Sequence, residues 1–116
     1  MNTVFGLSID CADAAKLARF WAEVLGREVN PQPTAESAAI DATDPTQGPR
    51  LLFHQVAEAK TVKNRLHLDL ISREFAAETE RMLSLGATRV NDVEQGGARW
   101  TTFRDPEGNE FDLVAG

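Results

Sequence analysis

Only one cysteine, Cys11, is present, which excludes an internal disulfide and fits a reducing compartment. Asp10 and Asp13 flank it and disfavour a thiolate, so Cys11 reads as an inert thiol rather than a nucleophile. Positive charge is scarce: 12 Lys and Arg stand against 18 Asp and Glu, a net charge of −6. That balance argues against nucleic acid or an anionic membrane surface as the main partner. No apolar run approaches the ~20 residues of a membrane span. The first residues carry neither a basic stretch nor the apolar core of a secretory leader, so a cytoplasmic protein is expected. A serine nucleophile elbow, a phosphate loop and the Cys–His spacing of structural zinc are all missing. What remains is a globular chain of 116 residues, 42% hydrophobic and 26% charged, long enough for one compact domain.

The chain repeats itself. Gly6-Leu7-Ser8-Ile9-Asp10, a helical stretch and Leu25-Gly26-Arg27-Glu28-Val29 return as His67-Leu68-Asp69-Leu70-Ile71, a helical stretch and Leu85-Gly86-Ala87-Thr88-Arg89-Val90. The copies set module one at about residues 3–57 and module two at about 64–114. Where the first strand of module one has Gly6, module two has His67.

Alternation over residues 3–10 predicts a half-buried strand. Asp13 caps a helix that ends at Gly26 and carries Leu17, Phe20, Trp21, Val24 and Leu25 on one apolar stripe. Trp21 is therefore assigned to the core. Residues 27–30 read as a short strand halted by Pro31 and Pro33. A weak strand over 37–42, a loop over 43–49 and a strand over 50–56 complete the module. The link 57–65 is locally basic, and Lys60 within it reads as solvated surface.

Module two opens with leucines on one face of a strand and His67, Asp69 and Ile71 on the other. Ser72 is the expected cap of a helix bearing Phe75, Thr79, Met82 and Leu83, stopped by Gly86. Residues 87–91 form a strand and 92–97 a loop. Residues 99–104 and 109–114 form a hairpin across Asp105-Pro106-Glu107-Gly108. The expected order is strand, helix and three strands, twice: an α+β chain of two βαβββ modules.

Several motifs resemble one family. Phe20-Trp21-Ala22-Glu23-Val24-Leu25-Gly26 resembles the helix end of the vicinal oxygen chelate superfamily, and Asp105-Pro106-Glu107-Gly108-Asn109 its turn before the last strand. The run Lys60-Thr61-Val62-Lys63-Asn64-Arg65-Leu66-His67-Leu68-Asp69 resembles small glyoxalase-like domains. The resemblance covers residues 5–114. It implies that the two modules pair mixed sheets into a cup-shaped cleft, that ligands of a divalent metal come from cup-facing strands, and that the protein is a homodimer.

Carried over by position, the resemblance places metal ligands at His67 and Asp112, and a third near His54 or Gln55, only one of which can face the cup. The position in the first strand falls on Gly6, which has no side chain to offer. With that ligand lost, a metal-free pocket ranks above a metal site. Glu110 and His67 are the candidate catalytic residues, Glu110 as a base or substitute ligand. Lys63, Arg65, Asp69 and Trp100 are the candidate substrate contacts, the basic pair as guides for an anionic group. Arg99 is an alternative guide, although alternation forbids Arg99 and Trp100 from sharing a face. Phe103 and Phe111 belong to the core. Two functions follow: a lyase or isomerase acting on a carbonyl or vicinal-oxygen compound, or a protein that sequesters a drug or metabolite without turnover. The sign of the ligand's charge stays open.

Overall fold

A computed structural model of the chain describes residues 1–116, apart from the side chain of Pro45. The chain forms two compact units, Met1–Ala59 and Lys60–Gly116. The architecture is α+β, with seven strands in two mixed sheets and two helices.

The first unit runs β1 (Gly6–Cys11), α1 (Ala14–Leu25), β2 (Ser37–Ile40) and β3 (Arg50–Gln55). Its sheet has the order β1-β3-β2, with β1 parallel and β2 antiparallel to β3. Asp13 caps α1 as expected, its carboxylate accepting from the Lys16 N–H at 3.2 Å. Gly26 closes the helix at φ +64°, a left-handed conformation that favours glycine. The apolar stripe is the core: Leu17, Phe20, Trp21 and Val24 are buried against the strands, with Phe20 and Trp21 edge to face. Cys11 is buried too, its thiol directed at the His54 carbonyl.

One expected strand does not form. Residues 27–30 are irregular, which leaves three strands in this sheet where the second unit has four. Arg27 supplies the reason. It is buried, and its guanidinium donates to the carbonyls of Pro49, Ile40 and Asp41, so the edge is bound through a side chain. A single backbone bond, Asn30 to Ala39, survives beside Pro31.

The second unit runs β4 (Leu68–Ser72), α2 (Phe75–Leu85), β5 (Thr88–Gln95), β6 (Ala98–Arg104) and β7 (Glu110–Ala115), in the sheet order β4-β7-β6-β5. The β4 and β7 strands are parallel, and the remaining pairs antiparallel. Leu68, Leu70, Phe111 and Leu113 lie on the side that α2 covers, and Phe103 and Phe111 stack at 5.4 Å with no exposure. Burying each such ring contributes roughly 2–3 kcal/mol. Ser72 does not cap α2 directly. Its hydroxyl accepts from the N–H of Glu74, the residue just before the helix, and Glu74 makes no side-chain cap.

The expected loop over 92–97 is also mostly strand. β5 continues to Gln95 and joins β6 through Gly96 and Gly97, both at positive φ. Two such glycines suit a tight hairpin whose twist matches the strands. A register shift between Arg89 and Asn91 hides this continuity from a simple count of alternation.

Candidate functional site

Strand pairing settles which residues share the face of the second sheet that turns away from α2. Asp69 pairs with Asp112 and Ile71 with Val114; across the next ladder Asp112 pairs with Thr102 and Val114 with Trp100. Trp100 in turn pairs with Val93, and Thr102 with Asn91. The face is therefore ruled in rows. One row is polar: Asp69, Asp112, Thr102, Asn91. The next is apolar: Ile71, Val114, Trp100, Val93.

His67 stands just before β4, on the same face. Its Nδ1 lies 3.1 Å from Asp69 Oδ1 and 4.0 Å from Asp112 Oδ2. Thr102 donates its hydroxyl to Asp112 Oδ1 at 2.6 Å, which fixes the carboxylate and leaves its other oxygen toward His67. Exposure falls from Asp69 (61%) through His67 (35%) to Asp112 (17%), so the cluster opens toward solvent at one end. The ligand atoms of His67, Asp69 and Asp112 all lie within 4.8 Å of one another. One imidazole nitrogen with two carboxylate oxygens is a donor set that zinc, manganese or iron accepts. Asp69, read from the sequence as a substrate contact, thus stands where a third donor is needed.

Glu110 is in a different state from the one expected of a base. Lys60 Nζ bonds its Oε1 at 2.9 Å and the Asn64 N–H its Oε2 at 3.1 Å. Burial to 9% exposure works against ionisation, but the Lys60 hydrogen bond and the Asn64 N–H outweigh it and hold the carboxyl at about 2. A carboxylate held so low is a poor proton acceptor. Lys60 is correspondingly not the solvated surface residue expected: its side chain is 23% exposed, with the Val62 carbonyl as a second acceptor. Asn64 Nδ2 also donates to Asn109 Oδ1, and Asn109 bonds Asp105, whose buried carboxylate accepts the Glu107 and Asn109 N–H groups. The motif 60–64 and the acidic turn are one network.

The other expected contacts divide between faces. Trp100 is half-buried on the open face, whereas Arg99 turns to the helix side, its guanidinium 4.7 Å from the Phe75 ring centroid. Lys63 and Arg65 are exposed in the segment leading to His67. In the first unit Phe53 points under α1, so His54 takes the open face and Gln55 turns back to donate to the Ala12 carbonyl. His54 is exposed. Gly6 lies opposite Arg50, whose stem crosses it: a Cβ there would stand 2.9 Å from Arg50 Cγ. Sequence reading missed Thr102. Counting outward from the 105–108 turn would pair Thr102 with Phe111; Arg104 instead pairs with Glu110, which takes Asn109 into the turn and sets Thr102 beside Asp112.

Two strand–helix–strand units, one presenting an imidazole and carboxylates on an open sheet face, define a glyoxalase-type fold of the vicinal oxygen chelate superfamily. The chain belongs to the glyoxalase-like domain family, whose model matches residues 6–114. Among solved structures, the E126Q mutant of the fosfomycin resistance protein FosX from Listeria monocytogenes, complexed with Mn(II) and 1S,2S-dihydroxypropylphosphonic acid, superposes with a TM-score of 0.80 at 16% identity. That match covers 100% of this chain and 91% of the other. A glyoxalase-related enzyme from Fulvimarina pelagi gives 0.75 at 19% identity, covering 100% and 89%. Lactoylglutathione lyase from Agrobacterium tumefaciens gives 0.69 at 15%, covering 100% and 95%. At such identities the likeness is one of fold. No curated protein matches the chain.

Proposed function

We propose that the open face of the second sheet binds a small carbonyl compound with a neighbouring oxygen and moves a proton on it, as a lyase or isomerase of the glyoxalase type. The observation that carries this reading is the convergence of His67, Asp69 and Asp112 within 4.8 Å. His67 is the proton carrier, and Asp69, 3.1 Å from its Nδ1, sets the plane of the ring. Asp112, held by Thr102, accepts a hydroxyl of the substrate. Glu110 stays outside the chemistry and ties the segment before His67 to β7. If a divalent ion binds, His67, Asp69 and Asp112 are its ligands, and it supplies Lewis-acid stabilisation of a developing oxyanion. A homodimer formed through an open sheet edge belongs to the same proposal, since β1, β2, β4 and β5 are all edge strands.

The test is exchange of the C–H beside the carbonyl of 2-hydroxyacetophenone in D2O, followed by proton NMR, with metal analysis of untagged protein alongside. Exchange that disappears in His67→Ala supports the reading. A second reading, sequestration without turnover, is favoured by Arg50 filling the space beside Gly6, where the family resemblance implies a ligand. Tight binding with no exchange would select it.

A further inference from the structure

The apolar row is not needed for proton transfer, yet it crosses the whole sheet beside the catalytic cluster. Ile71, Val114, Trp100 and Val93 are consecutive cross-strand partners on four adjacent strands. Ile71 is 74% exposed, and the other three are half-buried. At ~4.8 Å between strands the row is about 14 Å long, and at ~3.3 Å per residue it lies about 7 Å from the polar row. We infer that this row is the seat of a flat aromatic body, and that the ligand is an aryl α-hydroxycarbonyl compound rather than a short aliphatic one. The inference rests on the reading of the His67 cluster given above and extends it to substrate class.

Polarity fixes the orientation. A hydroxyl has acceptors in Asp69 and Asp112, and the C–H beside the carbonyl must meet the second ring nitrogen of His67, so the oxygenated end belongs on the polar row. The carbon skeleton then runs toward Trp100, whose indole face offers stacking to a ring. A second protein copy is a poorer occupant. Four side chains, three of them half-buried, fall far short of the ~800 Å² per partner that a standard interface buries.

The experiment is calorimetric titration of the full chain with three α-hydroxyketones that share one head: hydroxyacetone, 2-hydroxyacetophenone and 2-hydroxy-1-(2-naphthyl)ethanone. Affinity is expected to rise about tenfold with the first ring and again with the second. Trp100 fluorescence should be quenched, while Trp21, 2% exposed, stays silent. Trp100→Ala should remove the gain from the rings and leave hydroxyacetone unchanged. Ile71→Asp, at an exposed position, repeats the test where Trp100→Ala does not fold. Equal affinity for all three ketones overturns the inference but leaves the proton-transfer reading standing. Ring dependence that survives His67→Ala together with loss of C–H exchange leaves the inference standing. If Ile71→Asp instead converts a dimer to monomers in sedimentation, the row is an interface and the inference falls.

Discussion

The stem of Arg50 lies across Gly6, so that a Cβ on residue 6 would come within 2.9 Å of Arg50 Cγ. The guanidinium beyond it sits 4.9 Å from the Phe5 ring centroid and 3.6 Å from Asp41. The position is thus occupied by a neighbour, and restoring a histidine there means displacing that neighbour. Gly6→His is expected to destabilise the protein by about 1–2 kcal/mol through overpacking. Gly6→His with Arg50→Ala should recover most of the loss. Urea unfolding of the two variants checks the pair.

The donor set of the second unit predicts how metal affinity will respond. His67→Ala, Asp69→Asn and Asp112→Asn should each weaken zinc or manganese binding at least about tenfold, because each removes one of three donors. His54→Ala should leave it unchanged if the three donors of the second unit suffice. Competition against a chromogenic chelator measures all four. A loss on His54→Ala would show that the ligand set is not the one described.

Thr102 acts on Asp112 through one short hydrogen bond. Thr102→Val keeps the shape and removes the donor, so Asp112 is freed to rotate. Affinity for 2-hydroxyacetophenone should fall by about three- to tenfold, near the 0.5–1.5 kcal/mol of a single hydrogen bond, with stability little altered. Titration calorimetry and a thermal melt together separate the two effects.

Glu110 gives the protein a definite acid limit. Its carboxyl sits at about 2 when folded, against 4.5 for the free group. A depressed folded value stabilises above the unfolded value and is lost as pH falls from about 4.5 toward 2. The contribution is present in full at neutral pH. Glu110→Gln or Lys60→Met should flatten the stability profile in that window. Urea midpoints collected from pH 6 to pH 2 decide it.

Much of the fold is legible because local chemistry and tertiary structure agree. The cap at Asp13, the stops at Gly26 and Gly86 and the stripe from Leu17 to Val24 all lie where periodicity and capping put them. The reading fails where a side chain replaces backbone pairing. Arg27 looks like the start of a strand, and only its buried hydrogen bonds to three carbonyls show that the edge is sealed another way. The β5 strand fails for the opposite reason, since a bulge breaks its alternation while its pairing continues. At the site, His67 and Asp112 are recoverable from the repeat and the turn, but Thr102 is not, because Asn109 joins the turn and shifts the hairpin register by one residue. The states of Lys60 and Glu110 are not, because their partnership spans 50 residues and no local pattern announces it.

That partnership also bears on chain length. Lys60 and Asn64 are fastened to Glu110 and Asn109 before the chain reaches β4, so the stretch from 60 to 68 is cut to a fixed measure. Residues 57–59, by contrast, are exposed and lie just ahead of this fastening. Glycine insertions should therefore be absorbed at 57–59 with little effect. One extra residue between 61 and 66 would shift either the knot at Glu110 or the placement of His67.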